Sequence, residues 1–227
     1  MEHIPDSIKA MFIQEGLPYE ISKGSYLFLE GKAPGHLFFI REGHIKVTRS
    51  TPGGRELALR IVGAGDVVGE IDLFCGDSSC SVSARAMDRC FLLSLPITDF
   101  EAALLDDRVR NREWMMWSQL QQRKDQSRFR DLLLHGKKGA LYSTLIRLSN
   151  TYGDRREDGI LIGISLTNQD LADFCGASRE VVNRMLHDLK DNGVITMNKG
   201  FITIHKLDRL KETIDCDQCP LCVCQIN

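Results

Sequence analysis

Residues 98–135 contain neither glycine nor proline, and no other feature constrains the fold of this chain as strongly. Between Pro96 and Gly136 nothing interrupts a helical backbone. Apolar positions recur there at helical intervals: Phe100 and Leu104, then Trp114, Trp117 and Leu120, then Phe129, Leu132 and Leu133. A long helix is predicted over 99–136. Its other positions are rich in Arg, Gln and Asp, so the apolar stripe is narrow, with two tryptophans three residues apart at its centre. Such a stripe is expected to form a seam with a partner helix, ahead of simple burial against a neighbouring domain.

The texture on either side is different. From Gly24 to Pro96, short apolar or alternating runs (Ser25–Leu29, His36–Ile40, His44–Thr48, Glu56–Val62, Val82–Ala86 and Cys90–Leu95) are separated by glycine-containing turns. Strands at this spacing predict a jelly-roll-like β-roll over 1–98. After Gly136 a second unit over 137–211 carries helical periodicity in Ala140–Tyr152 and a short strand in Gly159–Ile164. Thr167 can cap a helix containing Leu171, Ala172 and Phe174. Gly176 then makes a turn, and Ser178 starts another helix with Val181, Val182, Met185, Leu186 and Leu189 inward. A hairpin through Asn198-Lys199-Gly200 completes a winged helix-turn-helix. A cysteine-rich tail, 212–227, closes the chain. The fold class is α+β.

Charge agrees with this division. Residues 1–100 carry 10 Lys+Arg against 13 Asp+Glu, whereas residues 137–211 carry 12 against 9, which makes the second unit the better partner for a polyanion. No apolar run is long enough to span a bilayer, so no membrane role is expected. The first residues lack the pattern of a secretory signal, and a cytoplasmic location is expected.

Side chains at the start of a second helix of this kind reach base edges in the major groove. Here they are Ser178, Arg179, Glu180, Asn183 and Arg184. Each arginine can make two hydrogen bonds to guanine, Glu180 can accept from cytosine N4, and Asn183 can address adenine or a phosphate. Double-stranded DNA is the partner these residue types fit.

Of eight cysteines, four fall in the tail, as Cys216, Cys219, Cys222 and Cys224. A segment this short is not expected to bury four thiols as core, so they are expected to bind a metal or cluster. Close spacing on one loop, with Pro220 after Cys219, suits an iron–sulfur cluster. Zinc and a redox-active thiol set are the rivals, although structural zinc sites usually pair two separated knuckles. Cys75, Cys80, Cys90 and Cys175 read as small buried hydrophobes.

These residues resemble the CRP/FNR family of bacterial transcription regulators over nearly the whole chain. Gly69-Glu70-Ile71-Asp72-Leu73-Phe74 is similar to the family's phosphate-cassette segment, within a cyclic-nucleotide-binding-like domain. Ala177-Ser178-Arg179-Glu180-Val181-Val182-Asn183-Arg184 is similar to its recognition helix, with Asn183 departing from the usual Gly or Ser. The resemblance implies a homodimer, RNA polymerase as a partner, and TGTGA-like palindromic sites read by Arg179, Glu180 and Arg184.

Within the family, Arg130-Asp131-Leu132-Leu133-Leu134-His135-Gly136-Lys137-Lys138-Gly139-Ala140-Leu141 and the tail resemble the Bacillus-type Fnr branch. That resemblance implies a [4Fe–4S] cluster on Cys216, Cys219 and Cys224 with Asp131, and control of anaerobic metabolism. Cys222 is an alternative fourth ligand. Where cyclic-nucleotide sensors have an Arg-Ser pair, this chain has Cys80-Ser81. A neutral thiol cannot replace a guanidinium against a phosphate, so a cyclic nucleotide is not the expected ligand, although Arg85 lies nearby. The competing function is a small-molecule-gated regulator with a structural zinc tail. No catalytic constellation is visible, and an enzyme is not expected.

Overall fold

The computed structural model describes residues 4–33, 35–69, 79–216 and 218–227. The chain divides into two compact units, Met1–Gln121 with Asn227, and Gln122–Ile226.

The first unit begins with α1 (Asp6–Glu15). Eight strands follow: β1 (Leu17–Ile21), β2 (Tyr26–Phe28), β3 (His36–Glu42), β4 (Ile45–Ser50), β5 (Glu56–Val62), β6 (Val67–Val68), β7 (Ser83–Ala86) and β8 (Cys90–Pro96). They make two four-stranded sheets, ordered β1-β8-β3-β6 and β2-β7-β4-β5. All their pairings are antiparallel, for example Leu37 with Leu95 in one sheet and Ile45 with Val62 in the other. The β-roll expected from the glycine punctuation is present. β1 and β6 were not among the runs read from the sequence, because β1 is mostly exposed and β6 is only a dipeptide.

The run Leu37-Phe38-Phe39-Ile40 is apolar throughout because both faces of its sheet are covered. Phe38 and Ile40 join Ile45, Val47, Val62, Ala84, Cys90 and Leu92 inside the roll. Leu37 and Phe39 turn the other way, with Leu93 and Leu95, onto a layer of helices. That layer is α1, α2 (Ile97–Asp106) and the beginning of α3 (Arg108–Tyr152).

The helix predicted over 99–136 is therefore interrupted. Asp107 adopts an extended conformation, and its carboxylate accepts from the backbone N–H groups of Val109 and Arg110 at 2.8 and 3.1 Å, so it ends α2 and caps α3. The tryptophans also serve differently from the expected seam. Trp114 and Trp117 are buried within their own unit, with ring centroids 4.8 Å apart and Trp114 edge-on to Phe100 at 4.8 Å. A narrow stripe identifies the buried face of a helix without saying which surface covers it. Here α1, β3 and β8 of the same chain cover it.

α3 breaks at Gly136, where the long helix was expected to end, with φ 59° and ψ −162°. The positive φ favours glycine. In a straight helix, residues 131 and 147 would lie about 24 Å apart, yet Asp131 Oδ2 is 2.8 Å from Arg147 Nη2. Gly136 thus folds α3 into two arms. The second arm buries Leu141, Leu145 and Leu148, and its Tyr142 lies near Asp188 in the second unit.

The rest of the second unit comprises β9 (Gly153–Arg156), β10 (Gly159–Ile162), α4 (Asn168–Cys175), α5 (Arg179–Asp191), β11 (Ile195–Asn198), β12 (Phe201–Ile204) and α6 (Leu207–Thr213). Its sheet is ordered β11-β12-β10-β9. Lys199, at φ 48°, and Gly200, at φ 85°, form the tight turn of the β11–β12 hairpin. Among the described residues no helix is long and apolar enough to cross a membrane.

Candidate DNA-reading helix and cysteine site

The helix pair forms because both starts are capped and the intervening turn is left-handed. Thr167 and Asp170 make a reciprocal capping box on α4, and Gly176, at φ 55° and ψ 32°, ends it. Ser178 caps α5 by accepting from the Val181 N–H at 3.4 Å. Val182, Leu186 and Leu189 face inward. Arg179, Glu180, Asn183 and Arg184 are exposed along the opposite face, beside exposed Ser178. These are the five positions expected from the sequence.

Their roles are not equal. The Ser178 hydroxyl is engaged in capping. Asn183 Oδ1 accepts from Asn168 Nδ2 at 2.8 Å, a link between α4 and α5. The Glu180 carboxyl is held below the usual range by its own backbone N–H and the Ser178 hydroxyl, and so stays an acceptor. Arg179 and Arg184 project from the first two turns, where bidentate readout of guanine requires them. Burial pushes the Cys175 thiol, beneath the turn, up to about 12, which leaves it an inert core residue as expected.

The cysteine tail packs more tightly than its length suggested. Cys224 is 8% exposed, whereas Cys216, Cys219 and Cys222 are half-buried. The tail buries one of its four thiols, Cys224, rather than all four, and side chains from the two arms of α3 hold its backbone. Arg147 Nη1 donates to the Val223 carbonyl at 3.1 Å, and Asn150 Nδ2 donates to the Cys224 carbonyl at 2.8 Å. Arg128 Nη1 donates to the Ile226 carbonyl at 3.0 Å. Asp215 and Gln218, at φ 43° and 51°, turn the backbone on either side of Cys216.

Three thiols converge. Burial pushes the Cys224 thiol up to about 12, opposed by the nearby Arg147 guanidinium and reinforced by Cys219, which shares a hydrogen bond with it, and by Cys216.

Asp131 lies against the same guanidinium. Its Oδ2 accepts from Arg147 Nη2 at 2.8 Å and from the Ser143 hydroxyl at 2.6 Å, and its Oδ1 accepts from Arg130 Nε and Nη2 at 3.0 and 2.6 Å. Burial would raise its pKa, but hydrogen bonds from Ser143, Arg147 and Arg130 outweigh that and leave it lowered. Arg147 also donates to the hydroxyls of Ser143 and Ser127, at 3.1 and 2.8 Å. Sequence reasoning missed Arg147. Its only signal was a charge inside the apolar periodicity of Ala140–Tyr152, four residues after Ser143.

Among the described residues, no three His, Cys, Asp or Glu side chains are placed to enclose a single metal ion. A tetrahedral zinc, with Zn–S bonds of about 2.3 Å, demands such convergence. A cluster presents a separate iron to each ligand and tolerates wider spacing. A buried thiol beside a guanidinium, with two further thiols acting on it and a carboxylate on that guanidinium, is a donor set of the second kind.

In the β-roll, Cys80 is buried. Arg85 is exposed on β7, where its Nε donates to the Gly24 carbonyl at 2.9 Å and its guanidinium lies 5.6 Å from the Tyr26 ring centre. The segment Glu70–Phe74 and Cys75 lie outside the described residues.

Known proteins agree with this architecture. Residues 19–107 match the cyclic nucleotide-binding domain family and residues 139–213 match the Crp-like helix-turn-helix domain. The chain is 47% identical over 209 residues to the anaerobic regulatory protein of Bacillus subtilis (strain 168), covering 92% of this chain and 88% of that protein. It is 30% identical to the global nitrogen regulator of Nostoc sp., over 79% of this chain and 81% of that one. Among solved structures, a CooA mutant from Carboxydothermus hydrogenoformans superposes with a TM-score of 0.77 at 17% identity, covering 93% of this chain and 95% of that one. FixK2 from Bradyrhizobium japonicum gives 0.75 at 17% identity, over 87% and 96%. The matched domains and relatives are those of regulators rather than enzymes. A two-sheet roll, a long helix and a capped helix-turn-helix in this order, with a relative of this identity along almost the whole chain, place it in the CRP/FNR family as a DNA-binding transcription regulator.

Proposed function

We propose that this regulator responds to oxygen through a [4Fe–4S] cluster held by Cys216, Cys219, Cys224 and Asp131, and that cluster occupancy sets its affinity for TGTGA-like palindromic DNA. The carrying observation is that Cys219 and Cys216 both act on the buried Cys224 thiol while Asp131 lies on the guanidinium that acts on the same thiol. Asp131 is the fourth ligand in this reading, with Cys222 as its alternative. The anaerobic regulatory protein of B. subtilis, 47% identical, supports control of anaerobic metabolism. When bound, the cluster supplies an oxygen-sensitive redox centre. The chain's own contribution is positional: Arg147 and Asn150 fix the tail to the second arm of α3, the arm that underlies the helix-turn-helix.

The working unit in this reading is a cytoplasmic homodimer whose two α5 helices address the two half-sites, with RNA polymerase as its partner at the promoter. The β-roll serves as scaffold without a cyclic nucleotide. Cys80 offers a phosphate only a neutral, buried thiol, and Arg85 is engaged with the Gly24 carbonyl.

Anaerobic purification tests the cluster. A brown protein that bleaches in air is expected. A colourless protein with one tightly bound zinc per chain would establish the small-molecule-gated alternative instead. For DNA, Arg184→Ala is expected to cost about 1–3 kcal/mol and to relax discrimination at one guanine of each half-site. Equal binding of mutant and wild type to cognate and substituted sites, in one salt concentration, would remove Arg184 from the reading set.

A further inference from the structure

Three helices of the second unit converge on a cavity of about 610 Å³, a size within the range of about 300–1,000 Å³ that small-molecule sites occupy. The second arm of α3 lines it through Lys138 and Tyr142, one turn apart. The C-terminal half of α5 lines it through Asp188 and Leu189, and α6 through Arg209 and Glu212. Leu189 is buried, as is Val194 beside it in the lining, so the cavity has apolar surface as well as charge. The tail cysteines, Asp131 and the reading arginines of α5 are not part of this lining.

Folding leaves the polar groups of this cavity uncommitted. Tyr142 is 7% exposed, yet among the described residues its hydroxyl has no hydrogen-bond partner. Buried tyrosines usually find one. Burial and the Asp188 carboxylate raise its pKa against the opposing Arg209 guanidinium, so at neutral pH the phenol is a donor lying between charges of both signs. Those charges do not neutralise each other. Among the described residues, the side chains of Arg209, Asp188 and Glu212 form no ion pair or hydrogen bond. Lys138 supplies a second cation, with Nζ 5.6 Å from the centre of the Tyr142 ring. Solvated charges alone mark no site, whereas a buried and unpartnered phenol among them does.

We propose that this cavity binds an amino-acid-like zwitterion with an apolar side chain: its carboxylate is taken by Tyr142 and Arg209, its ammonium by Asp188 and Glu212, and its side chain lies against Leu189 and Val194. A ligand carrying only an anion would bring it up to two carboxylates, and one carrying only a cation would leave the guanidinium unmatched. One molecule with both signs satisfies both. Its seat joins three elements at once, namely the arm that follows Gly136, the reading helix α5 and α6, so an occupied cavity holds α5 more firmly on its support.

The test is equilibrium dialysis of the full-length, cluster-free protein against labelled L-leucine, L-methionine and L-valine, with wild type, Tyr142→Phe, Arg209→Gln and Asp188→Asn compared. Wild type is expected to retain at least one of the three amino acids. Tyr142→Phe keeps the ring and should weaken retention by on the order of tenfold, the factor carried by one hydrogen bond to a charged group. Arg209→Gln and Asp188→Asn should weaken it at least as much. Isocaproate, which is leucine without its ammonium, and isoamylamine, which is leucine without its carboxylate, should each bind more weakly than leucine.

Circular dichroism confirms that the variants compared are folded. Retention of none of the three amino acids by wild type would overturn the proposal. Isocaproate or isoamylamine binding as tightly as leucine would overturn the two-charge ligand class, and unchanged retention in all three folded variants would overturn the site. The cluster reading can fail without altering any of these outcomes, since the protein tested carries no cluster.

Discussion

Asp131→Ala is expected to lower the stability of the cluster-free protein by about 3–5 kcal/mol, because it breaks a buried ion pair from one side only. Arg147 would remain buried with a full charge, supported by Ser143, Ser127 and the Val223 carbonyl, all uncharged. Denaturant unfolding of the apo-protein measures the loss. The double change Asp131→Ala with Arg147→Met should recover part of it, since removing both charges also removes their desolvation cost. If the single change costs less than the double, the pair is not what holds this site.

The pH dependence gives a second signature. The folded pKa of Asp131 is lowered below its unfolded value of about 4 by the hydrogen bonds from Ser143, Arg147 and Arg130. A group depressed on folding contributes stability that is fully present above the unfolded pKa and is lost as pH falls through the folded one. Wild type should therefore lose stability on its acid limb below about pH 4, and Asp131→Asn should show a flatter limb.

Trp114→Ala carries a comparable penalty, about 3–5 kcal/mol for truncating a buried aromatic, and it should fall on the β-roll unit. Trp114 is packed edge-on to Phe100 and against Trp117 within one chain. A helix-seam role would predict the opposite, a weakened dimer with the fold of each protomer intact. Thermal unfolding together with sedimentation at several protein concentrations separates the two. Reduced stability with an unchanged association constant is expected. Unchanged stability with dissociation would return the tryptophans to a dimer seam. The outward face of the same helix stretch is available for other partners, since Val109, Met115 and Met116 are exposed on it.

The contrast between these two sites shows what local sequence can and cannot specify. Glycine punctuation and alternation located six of the eight strands of the roll, because turn chemistry and period-two burial are local. The helix-turn-helix was legible for the same reason. Thr167, Gly176 and Ser178 act on backbone groups within a few residues of themselves, and they leave the reading face of α5 to follow from helical geometry. The tryptophan stripe was legible as a buried face but not as to its cover. Periodicity reports that a surface is hidden, and nothing in it distinguishes the chain's own β3 and β8 from a second copy.

For the cysteine tail, spacing alone indicated thiolate ligation and resemblance supplied the pairing with Asp131. Neither could reveal Arg147, because its partners lie 4, 16, 20 and 76 residues away in the chain. The contacts to Asp131 and Ser127 close because α3 folds at Gly136. The sequence by itself thus determined the order of roll, helix, reading helix and thiol loop, all of which rest on short-range periodicity, capping and turns. Only the tertiary structure decided that Trp114 is core, that one buried guanidinium joins Asp131 to the tail at Val223, and that Arg130 also holds an oxygen on that carboxylate. Each of those is a long-range or side-chain-directional fact, set by burial and by where a single left-handed glycine turns the chain.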